Sequence, residues 1–230
     1  MTSSPVDGVR KPSPEVSRDR ILSDADIVAF WKATETLGYP FGTISRLLLM
    51  TGQRRSEVSG LRWSDLDMGQ REWLIPADRA KNGIPHTVPL SDAVRATLAT
   101  VPRVAGQNLL FSTTGNTSVS GFSKAKERLD ALMQAEPTGA LQPWAFHDLR
   151  RTAASGMARL GANLPVIEKV LNHVSGSFSG VAGVYNRHDF AGEKRTALEA
   201  WSRFALDLVE GRSSNIVLLR AERHAELPRS

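Results

Sequence analysis

Residues 71–92 read REWLIPADRAKNGIPHTVPLSD, and here the spacing of apolar residues shortens from a helical period to that of strands. REWLIPAD (71–78) and HTVPLSD (86–92) have the short, bounded pattern of strands. Between them RAKNGIP carries Asn82-Gly83, a pair favoured in hairpin turns because both residues tolerate positive φ. The stretch predicts one small antiparallel sheet, with Lys81 at its hairpin tip.

On both sides of this hairpin the period is helical. Upstream, ILSDADIVAFWKATE places Ser23 as a cap with Asp26 three residues on, and Ile27, Phe30 and Trp31 form the apolar stripe. FGTISRLLLMTG is a second helix on Ile44, Leu47, Leu48 and Met50, stopped by Gly52. RRSEVSGLRW resumes the pattern with Val58 and Leu61 facing inward. Downstream, helices are predicted over 91–100, about 119–135, 147–160, 164–172 and 191–210. The fold class is therefore mainly α with a small antiparallel β-sheet (α+β).

Composition narrows the function. A hydrophobic share of 41% with 23% charged residues fits a soluble globular chain. No apolar run nears the roughly 18 residues that suggest a membrane span. The opening MTSSPVDGVRKPSPEVSRDR lacks the apolar core of a signal peptide, which predicts a cytoplasmic protein. With no cysteine, disulfides, thiol catalysis and Cys-containing zinc sites are excluded. The net charge of +5 and pI of about 9.9 favour an anionic partner such as nucleic acid. Of the cations 22 are arginine and 7 lysine, and arginine's planar fork grips phosphate bidentately. A GC-rich genome would give the same bias.

Four places concentrate groups suited to phosphate chemistry. In TGQRRSE, Arg54 and Arg55 open a helix whose free N–H groups already favour anions, and Glu57 stands three residues from Arg54. The plainer account is a solvated helix start with a surface ion pair. In FHDLRRT, His147 and Arg150 at i and i+3 share a helix face, joining a proton carrier to a fixed charge. Alone, such a histidine is ordinarily a cap. His173 closes a helix built on Val166, Ile167, Val170 and Leu171, where a histidine commonly meets the dipole. Lys81 at a turn is ordinarily there for solvation. GVYNRHD (183–189) holds Tyr185, one of two tyrosines with Tyr39, and most tyrosines are packing residues.

Order and spacing separate these readings. Thr-Gly-x-Arg-x-x-Glu, a hairpin lysine, His-x-x-Arg, Leu-x-His and a tyrosine twelve residues on together resemble the tyrosine recombinases, the phage integrases. TGQRRSEVSGLRWSDLD, HDLRRTAAS, VIEKVLNH and VYNRHD carry the likeness, which spans about residues 20–205. It is similar to integrases of prophages and genomic islands, which are mobile genetic elements.

The resemblance implies site-specific DNA recombination by covalent catalysis. Tyr185 is the expected nucleophile, forming a 3′-phosphotyrosyl enzyme and freeing a 5′-hydroxyl; the stored bond makes a nucleotide cofactor unnecessary. Arg54 and Arg150 are expected to bind the non-bridging oxygens, where charge accumulates, with His173 adding a hydrogen bond. Lys81 is the expected general acid for the leaving 5′-oxygen, and His147 is left to take the tyrosine proton. Glu57 is expected behind this layer, orienting the basic groups. No metal is expected: His147, His173 and His188 lack ligand spacing, and the arginines supply the charge.

In domain organisation, residues 1–19 are predicted to be an interdomain-type linker, 20–210 the catalytic domain, and 211–230 a tail whose NIVLLRA stretch suits subunit exchange. Members of the family usually carry an N-terminal DNA-binding domain that completes a clamp, and this chain is expected to lack it. The implied partner is double-stranded DNA at attachment sites, with a tetramer assembling on DNA where the clamp is complete. A rival of another class is a non-catalytic DNA-binding remnant that regulates a full-length integrase. A third reading keeps the chemistry but relaxes DNA as a type IB topoisomerase does.

Overall fold

The computed structural model describes residues 19–136, 141–173 and 189–212. Ser23 starts the first helix as its spacing predicts: its hydroxyl accepts the Asp26 N–H at 3.1 Å and the Asp26 carboxylate accepts the Ser23 N–H at 2.9 Å. Helix α1 (Asp24–Leu37) buries Ile27, Phe30 and Trp31. Helix α2 (Phe41–Thr51) buries nearly every residue, including Ile44, Leu47, Leu48 and Met50, so it lies inside the core. Gly52, at φ 64°, ends it by returning its N–H to the Leu48 carbonyl.

Helix α3 (Arg55–Ser59) is shorter than the predicted stretch. Gly60 closes it, and Trp63–Asp65 form a separate 3₁₀ turn. Strands β1 (Leu66–Asp67), β2 (Glu72–Ile75) and β3 (His86–Pro89) make one antiparallel sheet in the order β1-β2-β3. Trp73 faces Val88, and Ile75 faces His86, with Trp73, Ile75 and Val88 in the core. The two-residue strand β1 was not expected, because alternation cannot show over two residues.

The connection between β2 and β3 is not a tight hairpin. It runs for ten residues, with one turn closing Ala80 onto Pro76 and a second closing Gly83 onto Ala80. Pro76 and Pro85 border it and have no N–H to extend the ladder. Asn82-Gly83 therefore fills the last two positions of the second turn, where glycine is common.

Helices α4 (Asp92–Ala99), α5 (Phe122–Gln134), α6 (Phe146–Arg159), α7 (Leu164–Val170) and α8 (Ala191–Val209) follow close to their predicted ranges. Helix α2 packs against α1, α4, α6 and α8, making it the hub of the domain. Trp201 of α8 is fully buried and donates its indole N–H to the Leu49 carbonyl at 2.8 Å. It lies on Gly156 of α6, where a Cβ would stand 2.1 Å from the ring, so this contact requires glycine. No described helix is long and apolar enough to cross a membrane. Nearly all of the predicted linker and tail, together with Tyr185 and His188, lies outside the described residues.

Candidate active site

The Thr-Gly break does more than end a helix. In its left-handed conformation Gly52 turns its carbonyl toward α6, and Arg150 donates Nη1 to it at 2.8 Å. A second N–H group, Nη2, bonds the Leu171 carbonyl at the end of α7. One guanidinium thereby ties α2, α6 and α7 together from a site only 6% exposed. Two residues past Gly52, Arg54 leads into α3, and Glu57 accepts both its backbone N–H at 2.9 Å and its Nη1 at 3.0 Å. Glu57 is buried, and its carboxylate is paired with Arg54.

Arg54, Lys81, His147 and Arg150 line one cleft of about 590 Å³, with Arg55, Ser123 and Lys126 on its walls. Its described lining includes no carboxylate. Arg55 stacks over the Phe122 ring at 4.9 Å, and Lys126 over Trp144 at 4.2 Å while pairing with Asp130. These contacts hold long cationic side chains in place at the mouth of the cleft. Such a basin of fixed positive charge suits a phosphate.

Electrostatics separates the roles of these groups. Partial burial, then the charges of Arg150 and Arg151, hold the His147 pKa below its ordinary 6.5, against the opposing pull of Asp148. The imidazole is therefore neutral at pH 7 and able to accept a proton. Burial, followed by Arg54, pulls Arg150 down to about 10, with Glu57 and Glu168 acting in the opposite sense. Arg150 still remains cationic at neutral pH. Arg151, the next residue on α6, pairs with Asp148 at 3.3 Å.

His173 is not in this cleft. Its ring is exposed, 3.4 Å from Glu168, on the rim of an adjoining groove of about 510 Å³ that also contains Asp189 and Lys194. The backbone explains the position. The N–H groups of Asn172 and His173 return to the carbonyls of Lys169 and Glu168, a helix-ending motif with Asn172 at φ 47°. His173 thus begins the exit from α7, next to the Leu171 carbonyl that Arg150 holds. Among the described residues no three His, Asp or Glu side chains gather as a metal site requires.

Two buried polar residues were not singled out in the sequence. Gln53 is 1% exposed and donates to the Thr51 and Val170 carbonyls, each at 2.9 Å. His86 is buried with Nε2 2.9 Å from that same Val170 carbonyl, so Nε2 carries the proton. Burial, then the charge of Lys194, pushes its pKa down to about 4. Gln53 and His86 satisfy the Val170 carbonyl that ends α7, and Arg150 and Asn82 satisfy the Leu171 and Asn172 carbonyls just beyond it. The available signal was phase: His86 shares the inward face of β3 with Val88.

The sequence pattern of the phage integrase family matches residues 20–191. Prophage integrase IntA of Escherichia coli K12 is 32% identical over 172 residues, covering 74% of this chain and 39% of that protein. The shufflon-specific DNA recombinase of E. coli is 29% identical over 177 residues, covering 75% and 42% respectively. The chain thus spans about two fifths of these relatives' length. Among solved structures, a lambda integrase fragment captured as a dimer on a core site superimposes with a TM-score of 0.56 at 22% identity, over 76% of this chain and 64% of that one. That likeness concerns the fold.

Proposed function

The chain belongs to the phage integrase family, and we propose that it is the catalytic part of a site-specific recombinase that cuts and rejoins DNA through a phosphotyrosine. The observation that carries the reading is the gathering of Arg54, Lys81, His147 and Arg150, from three separate segments, around one cleft. The lambda integrase fragment was captured on DNA, which makes duplex DNA the partner expected here.

In the proposed cycle the Tyr185 oxygen attacks the scissile phosphorus. The new O–P bond forms as the bond to the 5′-oxygen breaks. Neutral His147 takes the phenol proton, and Lys81 supplies one to the departing oxygen. Arg54 and Arg150 balance the charge that builds on the non-bridging oxygens. His173 adds its hydrogen bond once DNA and the Tyr185 segment complete the site. Resealing runs the same steps backward from a 5′-hydroxyl of the other strand, so no bond energy is lost. Tyr39 is a poor rival for the nucleophile: its hydroxyl donates to the Leu110 carbonyl at 2.9 Å and it is not part of the cleft lining. The place of action is the cytoplasm, where bacterial DNA is held, and a tetramer forms on DNA when the clamp is complete.

The test is covalent trapping on nicked duplexes in EDTA. A protein–DNA adduct resistant to detergent is expected. Lys81→Ala should slow its formation on an ordinary phosphodiester far more than on one with sulfur at the 5′-bridging position, since sulfur leaves without a proton. No adduct, or one restored only by Mg²⁺, overturns the reading.

A further inference from the structure

Lys81 is anchored on both sides. Two residues before it, Arg79 forks onto Asp65 at 2.7 and 2.5 Å. One residue after it, Asn82 faces Asn172, ninety positions away along the chain, and the two amides exchange bonds. Asn82 Nδ2 donates to Asn172 Oδ1 at 3.1 Å and to the Asn172 carbonyl at 3.2 Å. Asn172 Nδ2 donates back to Asn82 Oδ1 at 3.2 Å and to the Ile84 carbonyl at 3.3 Å. The Ile84 N–H also donates to Asn82 Oδ1, at 3.2 Å.

The first four of these bonds join the turn that carries Lys81 to the residue before His173, and the fifth braces the turn itself. Asn172 occupies the left-handed position that ends α7, where glycine would serve the backbone equally well. Ending the helix therefore does not require its amide. The amide instead fills both acceptors and donors across the gap between two catalytic segments. An isolated ten-residue connection would leave a lysine at an exposed turn free to wander.

We propose that Asn82 and Asn172 form an amide clasp that positions Lys81 at the cleft and keeps its turn in register with the start of the His173 segment. The inference rests on the reading that Lys81 protonates the leaving oxygen. Neither asparagine touches the reacting atoms; both act through Lys81. With the clasp open, the ammonium is misplaced relative to the scissile bond while Arg54, Arg150 and His147 keep their places.

The test uses the whole chain and two pools of nicked duplexes of randomised sequence, with oxygen or sulfur at the 5′-bridging position. Asn172→Gly suits the left-handed backbone and Asn82→Ala lies in an open turn, so both variants should melt close to the parent. Each should slow adduct formation on the oxygen pool by roughly 10–100-fold and on the sulfur pool by less than about 3-fold, as a displaced catalytic group does. The double variant should be no slower than the worse single one, since one clasp is broken either way. Equal losses on the two pools, no loss, or additive losses would overturn the clasp and leave the catalytic reading standing. A parent chain that forms no adduct on either pool overturns the catalytic reading, and the clasp with it.

Discussion

Arg150 joins stability to catalysis, and replacing it should separate the two. Its guanidinium is the donor for the Gly52 and Leu171 carbonyls from a site 6% exposed. In Arg150→Ala both carbonyls lose a charged partner. Each buried, unsatisfied group costs about 1–3 kcal/mol, and water entering from the cleft holds the total near the low end, about 2–4 kcal/mol. For a domain of this size that lowers the melting temperature by roughly 5–15 °C. Arg150→Lys keeps the charge but reaches only one carbonyl, so about half of that loss is expected. Activity should divide differently. Both variants lose the planar fork aimed at phosphate, and adduct formation should fall about 10²–10³-fold even with lysine present. Thermal melts and adduct rates at a temperature where all three proteins are folded give the comparison. If Arg150→Ala melts with the parent, the tie between α2, α6 and α7 is wrong. If lysine restores activity, charge alone is enough and the geometric argument fails.

Two pH effects follow from the histidines. His86 has a folded pKa of about 4 against about 6.5 unfolded, so the unfolded chain binds more protons between those values. Its contribution is complete above pH 6.5 and is lost as pH falls toward 4, by roughly 3 kcal/mol in all. His86→Gln, which can still donate to Val170, should flatten that part of the stability–pH curve; an unchanged slope would contradict the assignment. His147 is held below 6.5 by partial burial and by Arg150 and Arg151. Adduct formation should therefore lose rate only in acid, below the ordinary histidine range. Arg151→Ala should move that limb upward, and a limb already above 6.5 in the parent would refute a base tuned in this way.

The two halves of the site differed in how far sequence could reach. Arg54–Glu57 and His147–Arg150 are i, i+3 pairs within single helical turns, and helical spacing alone placed each pair together. The order of the motifs, through the family they resemble, brought the segments into one cleft. The hairpin forms as expected, but its connection is longer than the Asn82-Gly83 pair suggests, since that pair favours a turn wherever it falls. The two prolines that decide the length of the connection act by a missing N–H, which apolar periodicity does not register. Gln53 and His86 were overlooked for a related reason: their partner, the Val170 carbonyl, lies 117 and 84 residues away. The strand phase of His86 marks it as inward-facing, but no local pattern names a carbonyl so far along the chain as its partner. His173 was correctly read as the end of α7, yet the bend at Asn172 directs it to the neighbouring groove.

The central claim is that this cleft serves a phosphate attacked by Tyr185. The most direct measurement is mass spectrometry of the adduct trapped on nicked DNA, digested to peptides, with Tyr185→Phe in parallel. The account predicts one nucleotide-bearing peptide, modified at Tyr185, and no adduct from the variant despite nearly unchanged DNA affinity. An adduct that persists in Tyr185→Phe, or that maps to Tyr39 or any other side chain, would contradict it.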